Sequence, residues 1–216
     1  MLPFYNGSHI GRFGFNGRGV GAIDHKTETL PAIPLFSVGG PYLLWQLDCS
    51  CKLKMEVHMI KKGQTIPTAA LSELGEEGMV THNTDELFAN KRAVLFAVPG
   101  AFTPTCSEAH LPGYVVLADE IKAAGVDIIA CVSVNDAFVM QAWGEAQNAT
   151  EIMMLADGDA SFTKALGLEM DTATFGGIRS QRYAMIIEDG VVTQLNVEEP
   201  KQFEASKAET ILAALK

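Results

Sequence analysis

One stretch organises the chain: Val98-Pro99-Gly100-Ala101-Phe102-Thr103-Pro104-Thr105-Cys106. It follows an apolar run at residues 93–98, which predicts a buried strand because no polar residue alternates within it. Pro99-Gly100 then ends the strand. Thr103-Pro104 indicates a helix start, since threonine is a good N-cap and proline is preferred at the first helical position. Cys106 is therefore expected in the first turn of a helix that follows the end of a strand.

The position of Cys106 favours a reactive thiol. Unpaired backbone N–H groups and the positive end of the helix dipole favour a thiolate in the first helical turn. In open α/β sheets, ligands bind near the end of the strand that leads into such a helix. The alternative is a small buried hydrophobic residue, which is what a lone cysteine in a cytosolic domain most often is. The preceding proline-glycine break favours the reactive interpretation.

Length and composition restrict the classes of function. The chain has 216 residues, of which 48% are apolar and 19% charged, and this suits one domain with additional sequence or two small domains. A net charge of −10 argues against nucleic acid and anionic membranes as partners. No apolar run in the sequence reaches the length that spans a bilayer.

The cysteines indicate the redox compartment. Cys49, Cys51, Cys106 and Cys131 do not resemble a disulfide framework in a chain of this length, so we expect a reducing compartment, the cytoplasm. Cys49 and Cys51 are separated by one residue, which is closer than the usual two-residue spacing of metal ligands, and the sequence contains no companion pair. We therefore expect no metal site.

Residues 1–54 differ in composition from residues 55–216. They contain 8 of the 20 glycines, and five basic against three acidic residues, so the negative charge lies in the remainder. No helical or strand period is sustained there, and we expect a poorly ordered extension before one domain at 55–216. Three interpretations stay open: a targeting peptide, a signal peptide, or upstream sequence translated from a start ahead of Met55 or Met59. The third is favoured, because the segment is poor in serine and lacks the charged-then-apolar order of a signal peptide.

The chain from Met59 onwards alternates strand and helix patterns. Residues 93–98 and 126–134 are near-continuous apolar runs, and Tyr114 and Ile121 lie between them at helical spacing. Strand, helix and strand at this spacing predict a βαβ unit with a parallel strand pair. Leu111-Pro112-Gly113 is expected to kink the helix. The other predicted elements are a strand at 152–156, helices capped by Asp136 and Asp159, a hairpin of 183–188 and 191–196 around Asp189-Gly190, and a last helix opened by a Ser206–Glu209 capping box.

These elements predict an α/β fold in which a central mixed β-sheet is flanked by helices on both faces. Three ordered segments then connect the chain to a known family. They are Pro99-Gly100-Ala101-Phe102-Thr103-Pro104-Thr105-Cys106-Ser107 with Leu111-Pro112-Gly113-Tyr114, Ser133-Val134-Asn135-Asp136-Ala137-Phe138-Val139-Met140, and Arg182-Tyr183-Ala184-Met185 before Asp189-Gly190. In this order they resemble peroxiredoxins of the peroxiredoxin-5 branch (type II), in the bacterial form that depends on glutathione or glutaredoxin. The resemblance covers roughly residues 59–216.

The resemblance implies a thioredoxin-like fold and a thiol-dependent peroxidase that reduces hydrogen peroxide and alkyl hydroperoxides. It implies no metal and no organic cofactor. It implies these site residues: Cys106 as the peroxidatic cysteine, Thr103, Arg182 and Pro99 as its catalytic partners, and Pro104 and Thr105 as substrate contacts.

The chemistry of that reaction explains the residue types. A thiolate attacks one peroxide oxygen, and negative charge develops on the departing oxygen. A guanidinium, the Thr103 hydroxyl and backbone N–H groups stabilise this charge without reorganising. Arg179 lies three residues before Arg182, and only the resemblance selects Arg182 between them. His110 lies four residues after Cys106 at a distance suited to a base, but a structural role is favoured because the mechanism needs no histidine.

The same resemblance implies a homodimer, with Phe102, Phe138 and Trp143 as candidate contacts. It also suggests an external thiol, glutathione or a glutaredoxin, for the reduction of oxidised Cys106. The sequence has no cysteine between Val132 and Lys216, and Cys131 lies in the middle of an apolar run, which favours a buried thiol. Glutathione or a glutaredoxin is therefore the expected reductant. The alternative is a thioredoxin-dependent enzyme in which Cys131 is the resolving cysteine.

Two other functions were compared with the peroxidase. A thioredoxin-type disulfide reductase needs Cys-x-x-Cys, and position 109 is alanine. A peroxide sensor that passes oxidation to a protein partner would use the same Cys106 chemistry, and it stays open as an alternative.

Overall fold

The strand that precedes Cys106 lies at the centre of the fold. The structure is a computed structural model that describes residues 58–75 and 77–216, so the predicted extension at residues 1–54 lies outside the described residues. Within them the strands are β1 (Ala70–Gly75), β2 (Gly78–Asn83), β3 (Arg92–Ala97), β4 (Ile128–Ser133), β5 (Met153–Ala156), β6 (Glu169–Asp171), β7 (Ile178–Ser180), β8 (Tyr183–Glu188) and β9 (Val191–Val197). The α-helices are α1 (Thr84–Leu87), α2 (Leu111–Ala123), α3 (Ala137–Ala146), α4 (Ser161–Ala165) and α5 (Ala208–Leu215).

In the described part of the chain, the main sheet has the strand order β2-β1-β5-β4-β3-β8-β9, and β6 pairs with β7 separately. β3 is parallel to β4, β4 is parallel to β5, and β3 is antiparallel to β8. The predicted βαβ unit and the mixed sheet are thus confirmed. The β6–β7 pair was not predicted, since its three-residue strands are too short for a recognisable period.

The apolar run of β3 is explained by burial on both faces. Val94 and Phe96 belong to one core cluster, whereas Ala93, Leu95 and Ala97 belong to the other. Side chains on a strand alternate between faces, so a strand covered on both sides needs apolar residues at every position. The first cluster contains residues of α2, α3 and α5, and the second contains residues of α1 and α4. Helices therefore flank the sheet on both faces, as predicted.

The helix after β3 begins at Pro104, as its sequence predicts, and Cys106 lies in its first turn. A π-helical turn at Cys106–His110 then leads into α2, with the Leu111 N–H bonded to the Cys106 carbonyl. α2 runs through the Leu111-Pro112-Gly113 segment where a kink was expected, and the irregularity that the structure shows lies just before it, in the π-helical turn. A π-helical turn is a known cause of such irregularity.

Hairpin and capping predictions had mixed outcomes. The β8–β9 hairpin turns at Asp189 (φ 48°) and Gly190 (φ 73°), the left-handed pair that a two-residue turn requires. Asp136 caps α3 by accepting from the Val139 N–H. At the start of α4, the Asp159 carboxylate accepts from the Ser161 N–H, and the Asp157 carboxylate accepts from two further helical N–H groups, those of Phe162 and Thr163.

The predicted capping box before α5 is wrong. The Ser206 hydroxyl donates to the Glu198 carboxylate at 2.8 Å, and α5 has no side-chain cap. The reason is tertiary: Glu198 also accepts from the N–H groups of Glu204 and Ser206 and so closes the connection between β9 and α5. In the part of the chain that the structure describes, no helix is long and apolar enough to cross a membrane.

Candidate active site

Cys106 follows the end of β3 and belongs to the hydrophobic core, where the residue is 0% exposed. Two side chains converge on its sulfur: Thr103 Oγ1 lies 2.9 Å and Arg182 Nη2 lies 3.4 Å from Sγ. The backbone N–H groups of the first helical turn have no partner within the helix, and Cys106 is in that turn. A hydroxyl, a guanidinium and a helix N-terminus thus surround one sulfur, and each presents N–H or O–H donors towards it.

The Thr103 hydroxyl has one proton and two acceptors within reach. Oγ1 lies 2.8 Å from the Gly100 carbonyl and 2.9 Å from Cys106 Sγ. When the sulfur is a thiol, the S–H donates to Oγ1 and the hydroxyl donates to Gly100; when it is a thiolate, the hydroxyl donates to sulfur. The capping role expected for Thr103 is not observed, because its oxygen accepts no helical N–H and the hydroxyl serves the loop and the sulfur instead.

Sheet pairing places Arg182 beside Cys106, although 76 residues separate them. Arg182 directly precedes β8, and Tyr183 at the start of β8 pairs with Ala97 at the end of β3. The antiparallel register therefore places Arg182 next to the loop that follows β3. Its Nη1 donates to His110 Nδ1 at 3.0 Å, and its guanidinium lies 5.7 Å from the centre of the Phe203 ring.

His110 is a buried, neutral acceptor in this network. Nε2 lies 3.1 Å from the Ser206 carbonyl and donates to it, which leaves Nδ1 unprotonated to accept from Arg182. Burial, together with the adjacent Arg182 guanidinium, lowers the pKa of His110 to about 3. A histidine with this pKa, whose free nitrogen is occupied by an arginine, is a poor base. The geometry gives His110 the structural role that the sequence favoured, which is to hold Arg182.

Arg179, the sequence rival of Arg182, has a different place. Its guanidinium donates to the carbonyls of Gly176, Val134 and Pro99 at 3.1, 3.4 and 3.5 Å. Among the described hydrogen bonds, none joins Arg179 to Cys106. The two arginines therefore have different partners: Arg179 contacts the loop carbonyls, and Arg182 contacts Cys106 and His110.

A cavity of about 490 Å³ adjoins the site. The cavity is lined by Pro99, Thr105 and Arg182 and by residues of the connection between β9 and α5, including Glu199 and Phe203. The predicted site residues Pro99 and Thr105 thus line the cavity. Pro104 does not line it: this residue is exposed and begins the helix. Cys106 does not itself line the cavity; Arg182, which lines it, lies 3.4 Å from the Cys106 sulfur and so connects the cavity to the site.

Cys131 lies on β4 opposite Phe96 of β3 and is 0% exposed. Burial raises the pKa of the Cys131 thiol, and a charge on Cys106 would raise it further. Cys106 and Cys131 belong to the same core cluster, and both thiols are free. A thiol in this state is a weak nucleophile, because the thiolate is the reactive form.

The three candidate dimer contacts differ in how far their side chains are exposed. Phe102 and Phe138 are 58% and 61% exposed, whereas Trp143 is fully buried and its Nε1–H donates to the Ser107 hydroxyl at 3.0 Å. Trp143 is therefore wrong as a surface contact. Sequence reasoning also missed Phe203, which packs edge-on against His110 at 5.0 Å. The sequence near Phe203 carries no signal for this contact, because it depends on how the connection before α5 folds back.

Comparison with known proteins gives a consistent result. A family model described as Redoxin matches residues 61–212. The chloroplastic Peroxiredoxin-2E-2 of Oryza sativa subsp. japonica is 50% identical over 166 residues, which cover 74% of each chain. The chloroplastic Peroxiredoxin-2E of Arabidopsis thaliana is 47% identical over 162 residues, which cover 72% of this chain and 69% of the relative. A crystal structure of reduced Prx3 in complex with H₂O₂ from Vibrio vulnificus is 78% identical with a TM-score of 0.72, and it covers 73% of this chain and 100% of that one. These likenesses confirm the thioredoxin-like fold expected from the sequence.

Proposed function

The chain belongs to the peroxiredoxins of the Redoxin family, which makes it a thiol peroxidase, and from this premise we propose that Cys106 is its peroxidatic cysteine. One observation carries the proposal: the Thr103 hydroxyl at 2.9 Å and the Arg182 guanidinium at 3.4 Å converge on the Cys106 sulfur. Both groups stabilise a thiolate, and a thiolate is the form of cysteine that attacks a peroxide.

The reaction begins when the Cys106 thiolate attacks the terminal oxygen of a hydroperoxide, ROOH. A sulfur–oxygen bond forms, the oxygen–oxygen bond breaks, and two electrons pass from sulfur to the peroxide. Cys106 becomes a sulfenic acid, and the departing RO⁻ takes up a proton and leaves as an alcohol, or as water when the substrate is hydrogen peroxide. The sulfur is oxidised and the peroxide is reduced.

The groups around Cys106 act on the charge that moves to the departing oxygen. Arg182 offers fixed N–H donors, because His110 and the Ser206 carbonyl behind it hold the guanidinium in place. The Thr103 hydroxyl, which donates to the thiolate before attack, is within reach of a peroxide oxygen bound at the sulfur. Donors that are already oriented stabilise developing charge without a cost of reorganisation.

The proposed substrates are hydrogen peroxide and alkyl hydroperoxides. The cavity beside Pro99, Thr105 and Arg182 supports this, since its volume of about 490 Å³ leaves room for an organic group next to Cys106. The similar protein from Vibrio vulnificus is described in complex with H₂O₂. In this proposal Pro99 and Thr105 form the wall against which the hydroperoxide rests, and Pro104 acts only by starting the helix.

We place the chain in the peroxiredoxin-5 branch, on its three ordered sequence segments, and propose glutathione with glutaredoxin as the reductant. One thiol condenses with the sulfenic acid, which gives a mixed disulfide and water, and a second thiol releases Cys106 and the oxidised disulfide. The burial of Cys131 supports an external reductant, because this thiol is neither exposed nor readily ionised. An enzyme with this reductant needs a compartment that holds reduced glutathione, and we therefore propose the cytoplasm as its location.

A homodimer is proposed as the working assembly. Phe102 and Phe138 are exposed, and their loops are joined by the hydrogen bond from the Ala101 N–H to Asn135 Oδ1 at 3.0 Å. Phe102 also holds a left-handed backbone conformation with φ 59°, which is costly for a residue with a side chain. Such strain is typical of functional segments, and here it orients a phenyl ring outward beside the active-site loop.

The test is peroxide consumption by the wild type, Cys106→Ser and Cys131→Ser, each supplied with glutathione plus glutaredoxin or with thioredoxin. Cys106→Ser is expected to consume peroxide no faster than the reductants alone. Cys131→Ser, the matched control at the other described cysteine, is expected to retain turnover with glutathione and glutaredoxin. Wild-type activity in Cys106→Ser would refute the proposed site. Turnover that requires thioredoxin and Cys131 would transfer the resolving role to Cys131.

A further inference from the structure

Arg179, on β7, joins three separate loops. Its side chain is partly buried, and it donates to the carbonyls of Gly176, Val134 and Pro99. These acceptors belong to the turn before β7, the loop after β4 and the loop after β3. A guanidinium has five N–H donors in a fixed plane, so one side chain is able to serve several carbonyls at once.

Two glycines leave the space that this guanidinium occupies. A Cβ at Gly176 would lie 2.6 Å from Arg179 Nε, and a Cβ at Gly100 would lie 3.1 Å from its Nη1. Neither position requires glycine for its backbone, since Gly176 has φ −166° and Gly100 is not among the residues with positive φ. The absence of a side chain at both positions is therefore explained by the room that Arg179 needs.

The loop that Arg179 holds also carries the group that contacts the sulfur. Pro99 accepts from Arg179, and the next carbonyl, that of Gly100, accepts from the Thr103 hydroxyl, which also reaches Cys106 Sγ. Ala101 is held from the other side by Asn135. A shift of the Pro99 carbonyl would thus be transmitted through Gly100 to the hydroxyl beside the sulfur, and it would also move the cavity wall.

We infer that Arg179 is a positioning residue for the peroxide reaction: it fixes the loop at Pro99 and Gly100, so that the Thr103 hydroxyl and the cavity wall face Cys106. This inference rests on the proposed role of Cys106. Arg179 acts through its geometry. Among the described ion pairs none involves Arg179, and the groups that it donates to are neutral carbonyls.

The experiment separates positioning from charge and from folding. Arg179→Met removes the donors and the charge, whereas Arg179→Lys keeps the charge and loses the planar fork. Two rate constants are measured for each protein: oxidation of Cys106 by hydrogen peroxide in a single turnover, and alkylation of Cys106 by iodoacetamide across pH. Alkylation needs only a reactive thiolate, but peroxide reduction also needs the oriented donors.

In both variants the peroxide rate constant is expected to fall about 10- to 100-fold, the cost of a small misplacement of reacting groups, while the high-pH plateau of alkylation stays within about twofold of wild type. Gly176→Ala places a Cβ 2.6 Å from Arg179 Nε and 2.7 Å from its Nη2, so the guanidinium has to move, and this variant is expected to lower the peroxide rate in the same way without removing Arg179. This variant keeps the test available if Arg179→Met does not fold.

Arg92→Met is the matched control. Arg92 lies at the opposite end of β3, and it donates to the Ala124 carbonyl at 3.0 Å and pairs with Glu188 at 3.0 Å. Its replacement is expected to lower the melting temperature and leave both rate constants unchanged.

Three results would overturn the inference. A peroxide rate in Arg179→Met within twofold of wild type would show that the loop does not need this residue. Full recovery in Arg179→Lys would assign the effect to charge alone. Equal losses of peroxide reduction and alkylation would show general damage at Cys106. If Cys106→Ser is inactive and Arg179→Met is normally active, only the inference about Arg179 is refuted. If Cys106→Ser is active, the proposed function itself is refuted.

Discussion

Thr103 shows how one proton is shared at the active site. Its hydroxyl lies 2.8 Å from the Gly100 carbonyl and 2.9 Å from Cys106 Sγ, and it is able to donate to only one of them at a time. When Cys106 is a thiol, the Thr103 hydroxyl donates to the Gly100 carbonyl, and when Cys106 is a thiolate, the hydroxyl donates to the sulfur. The residue therefore changes partner with the charge state of Cys106, which is what a donor for a reaction with moving charge requires.

Thr103→Val should lower kcat/KM for hydrogen peroxide by about 10²- to 10³-fold, the usual cost of losing one oriented donor at developing charge. Thr103→Ser keeps the hydroxyl and should stay within about tenfold of wild type. Stopped-flow measurement of Cys106 oxidation gives both values. A valine variant as fast as the serine variant would show that the hydroxyl has no part in the reaction.

At the scale of elements, His110 links parts of the chain that are far apart in sequence. It follows the first turn of the active-site helix, accepts from Arg182 at the start of β8, and donates to Ser206 in the connection before α5. The Tyr114 hydroxyl donates to the same Ser206 carbonyl at 2.9 Å. Helix, sheet and connection thus meet at one neutral imidazole, so the protonation of His110 bears on all three.

The stability of the fold should therefore depend on pH through His110. The pKa of this histidine is about 3 in the folded protein and about 6.5 when unfolded. Above pH 6.5 both states are neutral. Between pH 6.5 and 3 only the unfolded state binds the proton, so the free energy of unfolding falls by up to about 1.4 kcal/mol per pH unit as pH decreases.

Urea unfolding of wild type and His110→Asn at pH 7, 6 and 5 tests this expectation. Asparagine offers an acceptor to Arg182 and does not titrate, so its stability should decline less steeply than that of wild type. The slopes are compared, not the absolute values, because the substitution also changes packing. Parallel slopes in the two proteins would contradict a neutral, buried His110.

At the scale of the whole molecule, the surface beside the active-site loop exposes large aromatic side chains that the peroxidase reaction does not use. Phe102 and Phe138 are 58% and 61% exposed, and the loops that carry them are hydrogen-bonded to each other. Large exposed aromatic side chains beside a strained segment are typical of an interface. A second copy of this chain is the proposed partner.

Phe138→Glu should convert the proposed dimer to a monomer at micromolar concentration, because burying a carboxylate in an apolar contact is costly. Met79→Glu is the control, since Met79 is 56% exposed on β2 at the edge of the sheet. Sedimentation velocity measures the assembly of both variants. A Phe138→Glu dimer as stable as wild type would exclude this surface as the interface.

The local features of this protein were predictable because each depends on neighbours within a few residues. The structure confirms four such features: the apolar run of β3, the helix start at Pro104, the Asp136 cap and the Asp189-Gly190 hairpin. The parallel pairing of β3 and β4 followed as well, since a short helical crossover leaves few alternatives. The reactive interpretation of Cys106 rested on equally local features: its position in the first helical turn and the proline-glycine break at the end of the strand.

The partners of Cys106 depended on contacts between distant parts of the chain. Arg179 and Arg182 look equivalent in sequence. The register of β8 against β3 places Arg182 at the sulfur, whereas Arg179 lies on β7 and contacts the loop at Pro99. Ser206 matched a helix-capping pattern, but in the structure its hydroxyl donates a hydrogen bond to the Glu198 carboxylate instead. Such contacts are chosen by long-range packing, which no local pattern encodes, and for that reason the tertiary structure was needed to complete the active site.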